Sequence, residues 1–212
     1  MGDGKNRSGY GRNNQQRDGQ DQGARDRGGH PNVPSQQQQH STKHSHNPDV
    51  VFFHDSLGHA INEGIMSKQG LTTRKIVSYT LEDVEHNIRD LRSQPKAIVI
   101  HSGTNDIKNG VSAEEIIDRY QHIVRDLKNK FRDTEVILSS IAPREDNDWG
   151  QRQVEYINAA VNRKLGDNVT FVCNRDLWGR GVKKRDGVHL TEAGTSILAS
   201  HIKAGITQVL EV

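Results

Sequence analysis

Residues 50–58 read Val-Val-Phe-Phe-His-Asp-Ser-Leu-Gly, and this segment carries the clearest architectural signal in the chain. Its first five residues are mostly β-branched and aromatic, which favours a buried strand. The polar residues and the glycine that follow are typical of a turn leading from a strand into a helix. The segment therefore predicts a buried strand that presents a serine, Ser56, at the beginning of a helix.

The same alternation of strand and helix patterns continues along the chain. Each strand-like run is followed by a stretch whose apolar residues recur every three or four positions, as on one face of a helix. Such alternation indicates an α/β protein with a five-stranded parallel sheet that is covered on both faces. Strands are predicted at 50–54, 75–79, 97–102, 135–140 and 169–173, and helices at 57–68, 82–93, 112–131, 150–166 and 191–209.

Residues 1–48 differ in composition from the remainder of the 212-residue chain. They contain four apolar residues and carry seven basic and four acidic side chains, whereas 49–212 has a net charge of −1. So polar a segment cannot bury enough apolar surface to offset the entropy of ordering it. We therefore predict a disordered Gly/Gln/Arg-rich tail over 1–48 and a single domain over 49–212.

Two interpretations of the tail remain open. Its arginines and Tyr10 could contact RNA weakly through phosphates and stacking, or it could be a solvated linker. The ratio of seven cations to four anions favours the linker. His40, His44 and His46 are a weak metal signal because they lie in a polar stretch without cysteine. No metal site and no cofactor is predicted.

The chain has one cysteine, Cys173, so the fold must hold without an internal disulfide. The first residues lack the apolar region of a secretory signal, and no stretch approaches the roughly 18 apolar residues of a membrane span. These features favour a soluble intracellular, cytoplasmic protein without membrane contact. They leave the oligomeric state open.

Three polar motifs follow the first, third and fifth predicted strands: His54-Asp55-Ser56-Leu57-Gly58, Gly103-Thr104-Asn105-Asp106 and Asp186-Gly187-Val188-His189-Leu190. Each has an ordinary interpretation, namely a helix cap, a polar turn and a surface histidine. Ligand sites in parallel sheets lie outside the carboxyl ends of the strands, so all three motifs should meet at one edge. A hydroxyl, an amide donor and an Asp/His pair at one edge favour nucleophilic catalysis.

This arrangement resembles the SGNH hydrolase family, also called the GDSL-like esterases, over roughly residues 49–210. The family blocks read Gly-Asp-Ser, Gly, Gly-x-Asn-Asp and Asp-x-x-His; the last two match in full, and the first matches at Asp55 and Ser56. The resemblance implies a three-layer α/β/α flavodoxin-like fold. It also implies an acyl-enzyme mechanism.

In that mechanism Ser56 is the nucleophile, His189 the general base and Asp186 the residue that orients the imidazole. The resemblance further implies an oxyanion hole made by the backbone N–H groups of Ser56 and Ser78 and the side-chain amide of Asn105.

Two positions depart from the family pattern. His54 replaces the first glycine, which places a bulky titratable ring beside the nucleophile and forbids a backbone geometry that only glycine adopts readily. Ser78 replaces the glycine of the second block but retains the backbone N–H that the family uses. These departures bear on activity rather than on fold.

The leading hypothesis is a serine esterase or deacylase that acts on a small ester without a cofactor. The alternative is a catalytically weak or inactive SGNH-fold binding module whose basic tail contacts RNA or a protein partner. Domains similar to this one occur in open reading frames of animal retroelements, which associates the alternative with RNA.

Several other conspicuous residues have structural interpretations. Trp149 and Trp178 could line a substrate pocket, but partly buried packing is the favoured interpretation. The basic run of Arg180 and residues 183–185 is interpreted as a solvated loop. Cys173 is interpreted as a core residue at the end of a buried strand.

Deleting residues 1–48 should leave the melting temperature nearly unchanged, because these residues contribute little apolar burial. Thermal melts of the full chain and of the shortened chain measure the difference. A fall of many degrees would show that the tail packs on the domain.

Overall fold

The computed structural model describes residues 47–212, and its centre is a five-stranded sheet. The strands are β1 (Val50–His54), β2 (Thr73–Val77), β3 (Ala97–His101), β4 (Glu135–Ser139) and β5 (Thr170–Val172). All neighbouring strands are parallel, in the order β2-β1-β3-β4-β5. β1 therefore lies between β2 and β3. The chain forms β2 on one side of β1 and then crosses to the other side to form β3.

Within residues 47–212, five α-helices and two short 3₁₀ segments cover the sheet. The helices are α1 (Leu81–Asp90), α2 (Thr104–Lys108), α3 (Ala113–Lys130), α4 (Asp148–Leu165) and α5 (Glu192–Leu210), and the 3₁₀ segments are Ser56–Gly58 and Glu63–Gln69. Thr80 begins α1 with a reciprocal capping box with Asp83, and the Ser112 hydroxyl accepts the Glu115 N–H at the start of α3.

Two hydrophobic cores lie on opposite faces of the sheet. Val51 and Phe53 point into the core that contains buried residues of α1, α3 and α4, whereas Val50 and Phe52 point into the core that contains those of α5 and Leu57. This division follows from the alternation of side chains along a strand. Helices on both faces explain why β1 is buried at all five positions.

The predicted fold class is confirmed: residues 47–212 form a three-layer α/β/α structure around a five-stranded parallel sheet. The predicted tail lies outside the described residues except for positions 47 and 48, and His40, His44 and His46 lie entirely outside them. The division into 1–48 and 49–212 thus stays a prediction.

Three local predictions need correction. β2 begins and ends two residues earlier than predicted. The segment 57–68 contains two 3₁₀ segments instead of one helix. At the start of the second, the Asn62 side chain accepts the Gly64 N–H at 2.7 Å, which forms a turn. α2 was not predicted, since five residues are too few to show a periodic pattern.

Candidate active site

Ser56 lies where β1 ends and the first 3₁₀ segment begins. Asp55 has extended backbone, and its carboxylate accepts the Leu57 N–H at 2.9 Å, which closes the turn around Ser56. The Asp55 N–H donates to the His101 carbonyl at 3.0 Å, so β3 fixes the turn from the other side. The hydroxyl of Ser56 is thus held at the carboxyl edge of the sheet.

His189 and Asp186 form a hydrogen-bonded pair in the loop before α5. The distance from His189 Nδ1 to Asp186 Oδ2 is 2.8 Å. A carboxylate only accepts hydrogen bonds, so Nδ1 carries the proton and Nε2 of the neutral ring is a free base. The other carboxylate oxygen, Oδ1, accepts the N–H groups of Val188 and His189 at 2.9 and 2.8 Å.

These hydrogen bonds keep Asp186 ionised. The Val188 N–H, followed by the His189 N–H and the His189 side chain, lowers the pKa of Asp186 to about 2. The carboxylate is therefore negative throughout the neutral range. Its charge can orient the imidazole ring and stabilise an imidazolium.

The structure brings Ser56 to this pair. The distance from Ser56 Oγ to His189 Nε2 is 3.4 Å, although the two residues are 133 positions apart in the chain. This separation is longer than an optimal hydrogen bond, as is common for catalytic groups without substrate. Ser56, His189 and Asp186 thus stand in the order of a nucleophile, a base and an orienting carboxylate.

Two contacts hold the turn of Asp186 and His189. The Lys183 ammonium donates to the Val188 carbonyl at 2.9 Å, and the Glu145 N–H donates to the Gly187 carbonyl at 2.7 Å. Sequence patterns revealed neither residue. Lys183 belongs to the basic run that was predicted to be a solvated loop, but its side chain is buried, so the prediction is wrong for this residue. Arg180, Lys184 and Arg185 are exposed as predicted.

Gly187 lies directly against the β4–α4 loop. Its φ is +69°, and a Cβ atom at this position would lie 2.6 Å from the Glu145 carbonyl carbon and from the Asp146 nitrogen. Neither backbone atom can move away easily. The glycine in the Asp-x-x-His motif therefore permits the contact that fixes the turn.

Asn105 lies at the start of α2, which follows β3, the strand that pairs with β1. Its Nδ2 donates to the Tyr79 carbonyl at 3.0 Å, which leaves the second amide hydrogen for another acceptor. The adjacent Asp106 accepts the Leu81 N–H through both oxygens, at 3.3 and 3.2 Å. Together the two side chains fix the segment that follows β2.

The Ser78 prediction needs correction. The backbone N–H of Ser78 donates to the His54 carbonyl at 2.8 Å, as a continuation of the β1–β2 pairing, and the residue is fully buried. This N–H is therefore not free for a substrate oxygen. In the described part of the chain, the next N–H, that of Tyr79, donates to no acceptor.

His54 ends β1 as a buried residue. Its backbone is that of an ordinary strand; among the described residues, Glu211 alone is a non-glycine with positive φ. The position therefore needs no conformation reserved for glycine. Burial is the main cause that lowers the pKa of His54, so the ring adds no positive charge beside Ser56 at neutral pH.

Ionisable groups lie buried beneath Ser56. Burial, with the Asp106 charge, raises the pKa of Asp55 to about 7, while the Leu57 N–H and Lys183 act in the opposite direction. Burial lowers the pKa of Lys183 to about 8 and that of His101 to about 4. The floor of the site is thus dry enough to disfavour charge.

One cavity lies between α4 and the segments that follow β4 and β5. It has a volume of about 800 Å³, and its lining includes Trp178, Cys173, Gln151 and Asn158, but none of the residues of the Ser56–His189–Asp186 cluster. Cys173 is exposed, which corrects its assignment to the core, because β5 is an edge strand. Trp149 and Trp178 are each 50% exposed, and Trp178 lines this cavity, so packing alone does not account for Trp178.

The parallel sheet and the Ser, Asn and Asp/His residues at its carboxyl edge define an SGNH-type α/β/α protein. The model of the GDSL-like Lipase/Acylhydrolase family matches residues 52–197. The chain belongs to that family.

Individual relatives agree with this assignment. The Platelet-activating factor acetylhydrolase IB subunit beta homolog of Drosophila melanogaster is 25% identical over 125 residues, which cover 54% of this chain and 54% of that protein. The match thus spans about half the length of the curated relative.

Two solved structures share the fold. A GDSL-like lipase from Bacteroides thetaiotaomicron is 21% identical with a TM-score of 0.59, covering 76% of this chain and 87% of its own. A carbohydrate esterase family 3 protein from Talaromyces cellulolyticus is 18% identical with a TM-score of 0.63, covering 77% and 98%. Separately, none of the helices described in residues 47–212 combines the length and apolar character of a membrane span.

Replacing Gly187 with Ala should destabilise the chain more than replacing Gly181 with Ala. Both residues have positive φ, which costs alanine about 1–2 kcal/mol, but Gly181 has no atom within 4 Å of an added Cβ. Urea unfolding of both variants measures the difference. Equal losses would show that the contact with Glu145 does not constrain the turn.

The variant Asp55→Asn should gain stability relative to the wild type as the pH rises from about 4 to about 7. Folded Asp55 keeps its proton to about pH 7, whereas an unfolded aspartate loses it at about 4. Between these two pH values the folded wild type holds a proton on Asp55 that the unfolded chain has lost. The contribution of Asp55 to the stability of the wild type therefore falls as the pH rises.

Asparagine removes this dependence and keeps the oxygen that accepts the Leu57 N–H. Urea unfolding at several pH values measures the difference, with Asp167→Asn, an exposed position, as the control. A pH-independent difference between Asp55→Asn and the wild type would contradict the raised pKa.

Proposed function

We propose that this chain is a serine esterase that hydrolyses a small ester through Ser56, His189 and Asp186. One observation carries the proposal: Ser56 Oγ lies 3.4 Å from His189 Nε2, while Asp186 accepts from Nδ1 of the same ring at 2.8 Å. This geometry leaves Nε2 as the only ring nitrogen able to accept the serine proton. Membership of an acylhydrolase family supports the same reaction class.

The first half of the reaction forms an acyl-enzyme. Ser56 Oγ attacks the ester carbonyl carbon while its proton passes to His189 Nε2, and Asp186 stabilises the resulting imidazolium. The tetrahedral intermediate then collapses, the bond to the alcohol oxygen breaks, and His189 returns the proton to the leaving alcohol. The acyl group stays on Ser56.

The second half releases the acid. Water gives a proton to His189 Nε2 and attacks the acyl-enzyme carbonyl, and the serine oxygen leaves with that proton. The same three residues therefore serve both steps, and neither proposed step requires a cofactor.

Three donors surround the place where negative charge develops. Among the described residues, the Ser56 N–H donates to no acceptor and the Asn105 amide donates only to the Tyr79 carbonyl, so we assign the Ser56 N–H and the second amide hydrogen to the oxygen on which this charge develops. We assign the third donor to the Tyr79 N–H instead of Ser78, because the Ser78 N–H already bonds to His54. Each donor of this kind is worth about 100- to 1000-fold in kcat.

The Ser56→Ala variant should lose labelling by a fluorophosphonate probe and lose hydrolysis of p-nitrophenyl acetate. His189→Ala should reduce both sharply, because the serine then has no base, and Asn105→Ala should lower kcat by about 100- to 1000-fold. Ser200→Ala, an exposed serine on α5, is the matched control and should keep wild-type labelling.

Labelling gels and steady-state kinetics distinguish the outcomes. If a folded wild-type chain stays unlabelled and inert toward acetate esters, the esterase proposal fails and the binding-module alternative is favoured. Labelling that persists in Ser56→Ala would place the nucleophile elsewhere.

A further inference from the structure

Three rings form a continuous row beside the Ser56 turn: His54, His59 and Tyr79. The ring centroids of His54 and His59 are 5.3 Å apart in an edge-on arrangement, and those of His59 and Tyr79 are 5.9 Å apart. His59 Nε2 and the Tyr79 hydroxyl lie within 3.3 Å of each other. The row extends from the buried end of β1 to the exposed rim beyond β2.

The row begins at the buried ring of His54. His54 Nδ1 donates to the Asp55 carbonyl at 2.8 Å, which fixes the orientation of the imidazole. The next turn packs directly on it, since a Cβ atom on Gly58 would lie 2.5 Å from His54 Cβ. His59 follows immediately, and its N–H donates to the Ser56 carbonyl at 3.3 Å. The histidine that replaces the family glycine thus supports His59 one turn from the nucleophile.

Tyr79 connects the row to Asn105. Its carbonyl accepts the Asn105 amide, and its side chain reaches His59. The residue remains 48% exposed, so its ring stands at the rim rather than in the core. His59 and Tyr79 together form a polar aromatic wall, called here the His59–Tyr79 wall.

The strand order places this wall on one side of Ser56. β2 neighbours β1 on the side away from β3, and Tyr79 follows β2 by two residues. In the proposed reaction the ester oxygen faces Asn105 and the leaving alcohol faces His189 Nε2. The Tyr79 N–H is assigned to the same ester oxygen, so the Tyr79 side chain stands next to the ester carbonyl, and the proposal puts the acyl group along the wall.

We propose that the His59–Tyr79 wall determines acyl specificity and restricts the enzyme to short acyl groups of the acetyl and propionyl class. This inference rests on the proposed esterase function and extends it. His59 lies one turn from Ser56 and Tyr79 contacts His59, so a longer acyl chain on this side would meet the wall. The 3.3 Å contact between His59 Nε2 and the Tyr79 hydroxyl favours this position of the ring.

The test measures kcat/KM for p-nitrophenyl acetate, butyrate and hexanoate. The wild type should lose activity steeply as the acyl chain lengthens. In Tyr79→Ala the ratio of hexanoate to acetate kcat/KM should rise at least about tenfold, the low end of what one methylene group is worth in a pocket. His59→Ala and Tyr79→Phe should raise the ratio less, because the ring remains but loses its restraint.

Tyr156→Ala is the matched control, since Tyr156 is 52% exposed on α4, and it should leave the ratio at the wild-type value. Circular dichroism verifies that each variant is folded, and His59→Ala and Tyr79→Phe test the wall independently if Tyr79→Ala fails to fold. A wild type that accepts hexanoate as readily as acetate, or a ratio unchanged in all three wall variants, would overturn the specificity proposal. A wild type inert toward every ester would instead overturn the proposed function.

Discussion

The site depends on a short turn whose backbone is held from two directions. The Glu145 N–H binds the Gly187 carbonyl, and the buried Lys183 ammonium binds the Val188 carbonyl. Without these contacts an exposed loop would sample many conformations, and the imidazole would lie near Ser56 only part of the time. Gly187 is essential to the arrangement because any side chain would push the turn away from the β4–α4 loop.

Burial beneath the site complements this restraint. Asp55 closes the turn of Ser56, yet burial and the neighbouring Asp106 charge oppose its ionisation. Lys183 is the buried cation whose charge favours the ionised form, and it also holds the loop that carries His189. Ser56 and His189 are therefore connected through buried groups in low-dielectric surroundings as well as through their 3.4 Å contact.

The two departures from the family pattern have different consequences. His54 adopts strand backbone and packs on Gly58, so the replacement of glycine is accommodated by a second glycine four residues later. Ser78 contributes its N–H to the sheet, which shifts the available donor to Tyr79. Both changes meet at the His59–Tyr79 wall, because the His54 ring packs against His59 and Tyr79 directly follows Ser78.

Sequence alone determined the five-strand α/β pattern, the approximate positions of most elements and the three motifs at the strand ends, because apolar periodicity and turn chemistry are local properties of the chain. It also indicated Ser56, Asn105, Asp186 and His189, since parallel strands bring their carboxyl ends to one edge. Only the tertiary structure decided that Lys183 is buried, that Cys173 is exposed and that the Ser78 N–H is occupied. Each of these depends on which distant segment packs against the residue, and residue order does not encode that packing in any local pattern.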